Sequence, residues 1–282
     1  MTGNHIHVLE KYLILKTRLL GEGSFGKIYM AHDKISKKNV AVKISEHKNG
    51  TRDIINECNI LRNISHEHII SVSDFYISPS ISYMFMPLLM GGDMFYLTEK
   101  HEISEHTSKI IFKQLVSAVE YCHHHDIIHR DIKLENIVLK EAYDPRNINI
   151  VLIDFGMATI QHINDPPLDT YPGSPYYASP ELINITPYSG RKNDIWSMGV
   201  TLYALVARSL PFYSNNYDDV IKIVNNEEPD YDHLPEILVK LLKGMLNKNP
   251  ILRYDIDQIK ASDWICEVDN DDYPSGTHCT IS

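Results

Sequence analysis

Apolar positions recur along this chain with two periods. Residues 12–20 alternate apolar and polar as a half-buried strand does. Lys27-Ile28-Tyr29-Met30-Ala31, Val40-Ala41-Val42-Lys43 and Ile81-Ser82-Tyr83-Met84-Phe85-Met86 have the short β-branched and aromatic make-up of further strands. Between the last two of these, Ile54, Cys58 and Leu61 fall at helical spacing and predict a helix over 54–61. From Ser104, a residue suited to an N-cap, the period is that of a long helix reaching His125, with Ile111, Leu115, Ala118, Val119 and Cys122 as its apolar stripe. Short apolar runs follow at Ile127-Ile128, Ile137-Val138-Leu139 and Ile150-Val151-Leu152-Ile153. Asp194-Ile195-Trp196-Ser197-Met198-Gly199-Val200 then opens a helix apolar enough to be buried, and too short an apolar run to cross a membrane.

Composition narrows the classes. The 282 residues suffice for one large domain or two lobes with a shared cleft, and 43% hydrophobic content allows a sizeable core. A net charge of −10 argues against nucleic acid as a partner, because phosphate binding needs a basic surface. Cys58, Cys122, Cys266 and Cys279 have no metal-binding spacing and read as reduced thiols of a cytoplasmic or nuclear protein. Residues 1–12 are expected to be a polar, His-rich leader, and 266–282 an acidic flexible tail.

The chemistry is concentrated in His129-Arg130-Asp131-Ile132-Lys133-Leu134-Glu135-Asn136, a polar loop between apolar flanks. Such a seat suits a carboxylate that orients a hydroxyl and an amide that holds a metal. Asp154-Phe155-Gly156 follows the 150–153 run. Upstream, Gly21-Glu22-Gly23-Ser24-Phe25-Gly26 would let backbone amides approach phosphates. A strand-like run follows these glycines where a dinucleotide-binding fold would have a helix, which favours a hairpin over phosphates; a plain β-turn is the bland alternative. Taken singly, Lys43 could be a solvated edge lysine and Glu57 an exposed helix carboxylate. His123-His124-His125 is not a metal site, since adjacent helical residues point in different directions.

In this order, the motifs resemble those of eukaryotic protein kinases over residues 13–265. Lys133, two positions after Asp131, is the serine/threonine pattern. Leu168-Asp169-Thr170-Tyr171-Pro172-Gly173-Ser174-Pro175-Tyr176-Tyr177-Ala178 resembles the activation loop of the calcium/calmodulin-dependent and AMP-activated / microtubule-affinity-regulating branch, with Pro172 where that branch has cysteine and Ser179 for the commoner alanine.

The resemblance implies an α+β, bilobal protein kinase fold: a mainly antiparallel β N-lobe over 13–86 with one key helix, a hinge over 87–92, and a mainly α C-lobe over 93–265. It implies ATP and Mg²⁺, with Leu20, Gly21, Glu22, Gly23, Ser24, Phe25, Gly26, Lys27, Ile28, Ala41, Lys43, Met86 and the Leu88 backbone around the nucleotide. Pro87 stands where the family has an acid, and keeps only its carbonyl acceptor. Glu57 would hold Lys43, Asn136 and Asp154 the metal, and Asp131 and Lys133 would act on the hydroxyl and the moving phosphoryl group. Arg253 would pair with Glu181. Thr170 would be phosphorylated by an upstream kinase and meet Arg130, with Ser174 structural beside Asp131 and Lys133. Asp93 and Glu135 would face basic residues upstream of the target in protein substrates. A monomer is expected. A pseudokinase scaffold would lack Lys43, Asp131 or Asp154, and a small-molecule kinase would lack the 173–181 segment; neither is missing. Cys279-Thr280-Ile281-Ser282 fits a prenylation pattern, and weak membrane association is expected only with a lipid on Cys279.

Overall fold

The computed structural model describes residues 10–23, 26–46 and 52–267; Ser24, Phe25 and Cys279 lie outside them. Strands β1 (Tyr12–Gly23), β2 (Gly26–Asp33), β3 (Asn39–Glu46), β4 (Asp74–Ile77) and β5 (Ile81–Pro87) make one antiparallel sheet in the order β1-β2-β3-β5-β4. Helix α1 (Arg52–Arg62) joins β3 to this sheet's far edge. The first strand begins inside the stretch expected to be a leader: Tyr12 is buried and stacks on Phe85, ring centroids 3.7 Å apart. Its hydroxyl and the Lys11 ammonium both reach Asp74. An aromatic that fills the small lobe's core belongs to the fold whatever its distance from the first motif.

The large lobe is helical. Helices α2 (Met94–Lys100), α3 (Glu105–His124), α4 (Pro180–Ile183), α5 (Gly190–Ala207), α6 (Tyr217–Asn226), α7 (Glu236–Met245), α8 (Ile256–Lys260) and α9 (Asp263–Cys266) follow in order. Ser104 caps α3 as expected, its side chain accepting from the Thr107 N–H. The stripe of α3 is buried in the main core, and α5 is buried between that core and a second cluster that takes Trp196 and Val200, which is why α5 shows no polar face in the sequence. Among the described residues no helix is long and apolar enough to cross a membrane.

Two small ladders lie where the lobes meet: β6 (Ile127–Ile128) with β9 (Thr159–Ile160), and β7 (Ile137–Leu139) with β8 (Ile150–Leu152). The 140–149 loop closes the second, Lys140 N–H donating to Asn149 O at 2.9 Å. The segment leaving β5 is stitched to β7: Gly91 N–H donates to Leu139 O at 3.1 Å and Leu139 N–H to Gly92 O at 3.0 Å. A Cβ at Gly91 would lie 2.0 Å from Glu141 O, so this close approach requires glycine.

Candidate active site

The loop carrying Asp131 is fixed from below. Asp194, in the second turn of α5 and wholly buried, accepts from the N–H groups of His129 (3.0 Å) and Arg130 (2.9 Å) and from His123 Nε2 (3.0 Å). Those three donors satisfy a carboxylate that burial would otherwise penalise heavily. They also hold Arg130 in a left-handed conformation, φ 66°. His129 Nδ1 accepts from the Asp131 N–H (3.2 Å), so Nε2 carries the proton and donates to Ile153 O (3.1 Å), beside Asp154. One imidazole therefore links the two loops, its ring edge-on to Phe155.

The Asp131 carboxylate is surrounded by donors. Lys133 Nζ stands 2.8 Å from Oδ2, Asn136 Nδ2 donates to Oδ2 at 3.1 Å, and the Ser174 hydroxyl donates to Oδ1 at 3.0 Å. Lys133 also donates to Ser174 Oγ at 2.8 Å, so Ser174 sits where the sequence expects it.

Asn136 spends its NH₂ on Asp131, donating to the backbone carbonyl at 2.8 Å as well, which leaves the side-chain carbonyl for a ligand. Asp154 lies in the left-handed region, φ 60° and ψ 76°, with its side chain 37% exposed. Oxygen donors from these two residues suit a hard cation. Among the described residues no group of three or more His, Cys, Asp or Glu could hold an ion unaided. A Mg²⁺ at this place would therefore complete its shell with phosphate oxygens and water, as that ion does.

Lys43 bridges the lobes, 2.8 Å from Glu57 and 3.2 Å from Asp154. Burial works against its charge, but the two carboxylates outweigh it and its pKa is raised. Burial pushes the Glu57 carboxyl up against the pull of Lys43. For Asp154 burial also opposes ionisation, yet the Lys43 ammonium prevails and holds it below the usual carboxylate range.

The glycine hairpin forms the roof, with Gly21 opposite Ile28, Glu22 opposite Lys27 and Gly23 opposite Gly26. Glu22 and Lys27 pair at 3.2 Å. Gly26 is required by the fold: at φ 141°, a Cβ would meet Ile44 O at 2.4 Å. A Cβ at Gly21 would meet nothing within 4 Å, so no neighbour demands glycine there. Ala41 faces Met86 across the β3–β5 ladder, placing both beside the segment that leaves β5. The Leu88 side chain lines a cavity of about 460 Å³ with Ile64, Ile70, Pro87, Leu89 and Val151, none of them a residue of the roof.

The 168–181 segment is anchored throughout. Leu168 and Tyr188 exchange backbone hydrogen bonds at 2.8 and 3.0 Å, and the Tyr188 hydroxyl donates to Thr170 O at 2.9 Å. Arg130 donates through Nη1 to Thr170 Oγ1 at 2.8 Å and through Nε to Met157 O at 2.7 Å. Arg253 grips Glu181 with two bonds of 2.9 and 2.8 Å, the pairing the sequence expects.

The chain matches the protein kinase domain family over residues 14–265. It belongs to the protein kinase family. It is 34% identical over 270 residues to NUAK family SNF1-like kinase 1 of Homo sapiens, an alignment covering 93% of this chain and 40% of that protein. It is 35% identical over 269 residues to serine/threonine protein kinase OSK3 of Oryza sativa subsp. indica, covering 93% of this chain and 51% of that one. The chain thus spans about half the length, or less, of these curated relatives. They support the serine/threonine class and branch that the activation segment resembles.

Within this kinase site two acids have jobs that the motif does not announce. Asp93 caps α2, accepting from the Tyr96 N–H at 2.8 Å, and Glu135 accepts from the Tyr177 hydroxyl at 3.3 Å. That Asp194 and His129 seat the loop of Asp131 is not legible in the motifs that contain them. The available signal was an acid at the head of the apolar run of α5, since a buried acid must have partners.

Proposed function

We propose that this chain transfers the γ-phosphoryl group of ATP to serine or threonine hydroxyls of protein substrates. The observation that carries this reading is the Asp131 carboxylate, held by Lys133, Asn136 and Ser174 and tied through His129 to the loop of Asp154. Phosphoryl transfer is governed by positioning and charge neutralisation, and each has its residues here. Asp131 orients the substrate hydroxyl and takes its proton. Lys133 neutralises charge developing on the phosphoryl oxygens. Lys43 holds the α- and β-phosphates, and Glu57 holds Lys43. Bound Mg²⁺, seated on Asp154 and Asn136, supplies further charge neutralisation at the phosphates. The hairpin covers the phosphates with Gly21, Gly23 and Gly26, while Ala41, Met86 and the Leu88 backbone take the adenine. Asp93 and Glu135 give the cleft an acidic rim that favours basic residues upstream of the target. Thr170 accepts phosphate from an upstream kinase, with Arg130 already in contact.

The test separates two aspartates. Asp131→Asn should bind nucleotide as the wild type does while turnover on a basic serine peptide falls about 10²–10⁴-fold. Asp154→Asn should lose Mg²⁺-dependent nucleotide affinity. Near-normal turnover in either variant would sink the assignment.

A further inference from the structure

The end of the activation segment and the start of α5 enclose a cavity of about 10 Å³, lined among others by Arg130, Gly173, Ser174, Tyr177, Asn193 and Ser197. That is room for a single water. Asn193 is 1% exposed, and neither its Oδ1 nor its Nδ2 has a partner among the described residues. Its polar neighbours are committed elsewhere. The Ser197 hydroxyl donates to Tyr177 O at 3.0 Å, and Ser174 Oγ gives its proton to Asp131 and accepts from Lys133. A primary amide buried without partners is costly, and turning it over does not help when both ends are orphaned. An internal water resolves the conflict, because it accepts from Nδ2 or donates to Oδ1 and has bonds left for the opposite wall.

We propose that this cavity binds one structural water, anchored by Asn193, which ties the first turn of α5 to the 173–177 stretch and so positions Ser174 against Asp131. Geometry says why the tie matters here. Gly173 has φ 117°, and a Cβ on it would come within 3.0 Å of Arg130 O, so segment and catalytic loop are in close apposition. Ser174 is the next residue and touches both Asp131 and Lys133. Slack in the 173–177 stretch therefore shifts the floor on which a peptide rests without disturbing Lys43 or the nucleotide roof. Asn193 is accordingly a positioning residue, acting through the water and Ser174.

The water site stands independently of the kinase reading; only its kinetic consequence rests on that reading. A crystal structure at a resolution that shows ordered waters should reveal density between Asn193 and the 173–177 stretch in the wild type, and none in Asn193→Leu, whose larger apolar side chain fills the space. In Asn193→Leu the kcat/KM for a basic serine peptide should fall about three- to ten-fold, with the KM for ATP near wild type. Asn193→Ser, which keeps one polar anchor, should recover most of that loss. Should Asn193→Leu fail to fold, Asn193→Ala, which leaves the space and removes the anchor, carries the same kinetic comparison. Wild-type density without a water overturns the site. A water present with an unchanged peptide kcat/KM in the variant overturns the positioning role. A water present in a protein that phosphorylates no peptide upholds the site and refutes the kinase reading instead.

Discussion

In the small lobe Lys43 meets Glu57 at 2.8 Å; in the large lobe Arg253 meets Glu181 at 2.9 and 2.8 Å. Both pairs are buried cations on carboxylates, and their surroundings differ. Arg253 is closed off: its side chain is 0% exposed, Nε donates to Asn247 O at 2.9 Å, Nη1 to Lys192 O at 3.0 Å, and its plane lies over Trp196. A rigid guanidinium fork with its donors engaged this way is a permanent brace. Lys43 instead stands between a wholly buried acid and Asp154, which opens to the cleft. A compact ammonium on a flexible stem can be shared with a ligand arriving from the open side. Accessibility of the second partner, more than the pair itself, separates a working charge from a structural one.

Replacing each cation probes that distinction. Lys43→Met should lower turnover about 10²–10³-fold with a small loss of stability. Asp154 remains hydrated, and Glu57, already pushed up by burial, takes a proton when its partner leaves. Arg253→Met should cost about 3–5 kcal/mol, because it breaks a buried pair by removing one partner and leaves Glu181 without its two hydrogen bonds. Thermal melts of the two variants beside a turnover assay make the check. Equal stability losses would break the comparison, and recovery in an Arg253→Met, Glu181→Gln double variant would sharpen it.

Thr170 offers a smaller contrast. Its hydroxyl already accepts from Arg130, so Thr170→Ala should retain basal turnover while losing an activation of about ten-fold by an upstream kinase. Equal stimulation of wild type and variant would remove Thr170 from the scheme.

The smallest effect belongs to a pair at the surface. His162 Nδ1 lies 2.7 Å from Asp126 Oδ2, and that hydrogen bond raises the imidazole pKa above 6.5. A raised pKa stabilises the fold where the imidazole is charged. The contribution is full below 6.5 and disappears as pH rises through the raised value. Arg191 stays 2.5 Å from Asp126, so the acid keeps a partner. The difference in melting temperature between wild type and His162→Gln should be small, largest below pH 6.5 and closed once pH has passed the raised pKa. A gap that widens with pH would contradict the pairing.

Several of these features could be read before any coordinates. Ser104 was recognisable as a cap because capping is local. The pairs Lys43–Glu57 and Arg253–Glu181, and the place of Ser174 beside Lys133, were accessible only through resemblance to kinase motifs, since nothing local connects residues so far apart. Tyr12 was assigned to the leader by boundary, although its alternation with the following residues already marked a strand. Asp93 was visible as an acid near the cleft, but its cap on α2 depends on where the backbone turns. Asp194, His129 and Asn193 were silent because a buried polar side chain is defined by its partners, and those partners lie on other elements.

The order of the elements, the faces of the long helices and the chemical inventory of the site were determined by sequence alone. They follow from periodicities of two and 3.6 residues and from what each side chain can donate, accept or ionise. The distances were decided only in three dimensions. Lys43 and Asp154 are separated by 111 positions and lie 3.2 Å apart, with α1 packed against the turn at Phe155. Periodicity records which face of an element is buried; it holds no record of what is buried against it.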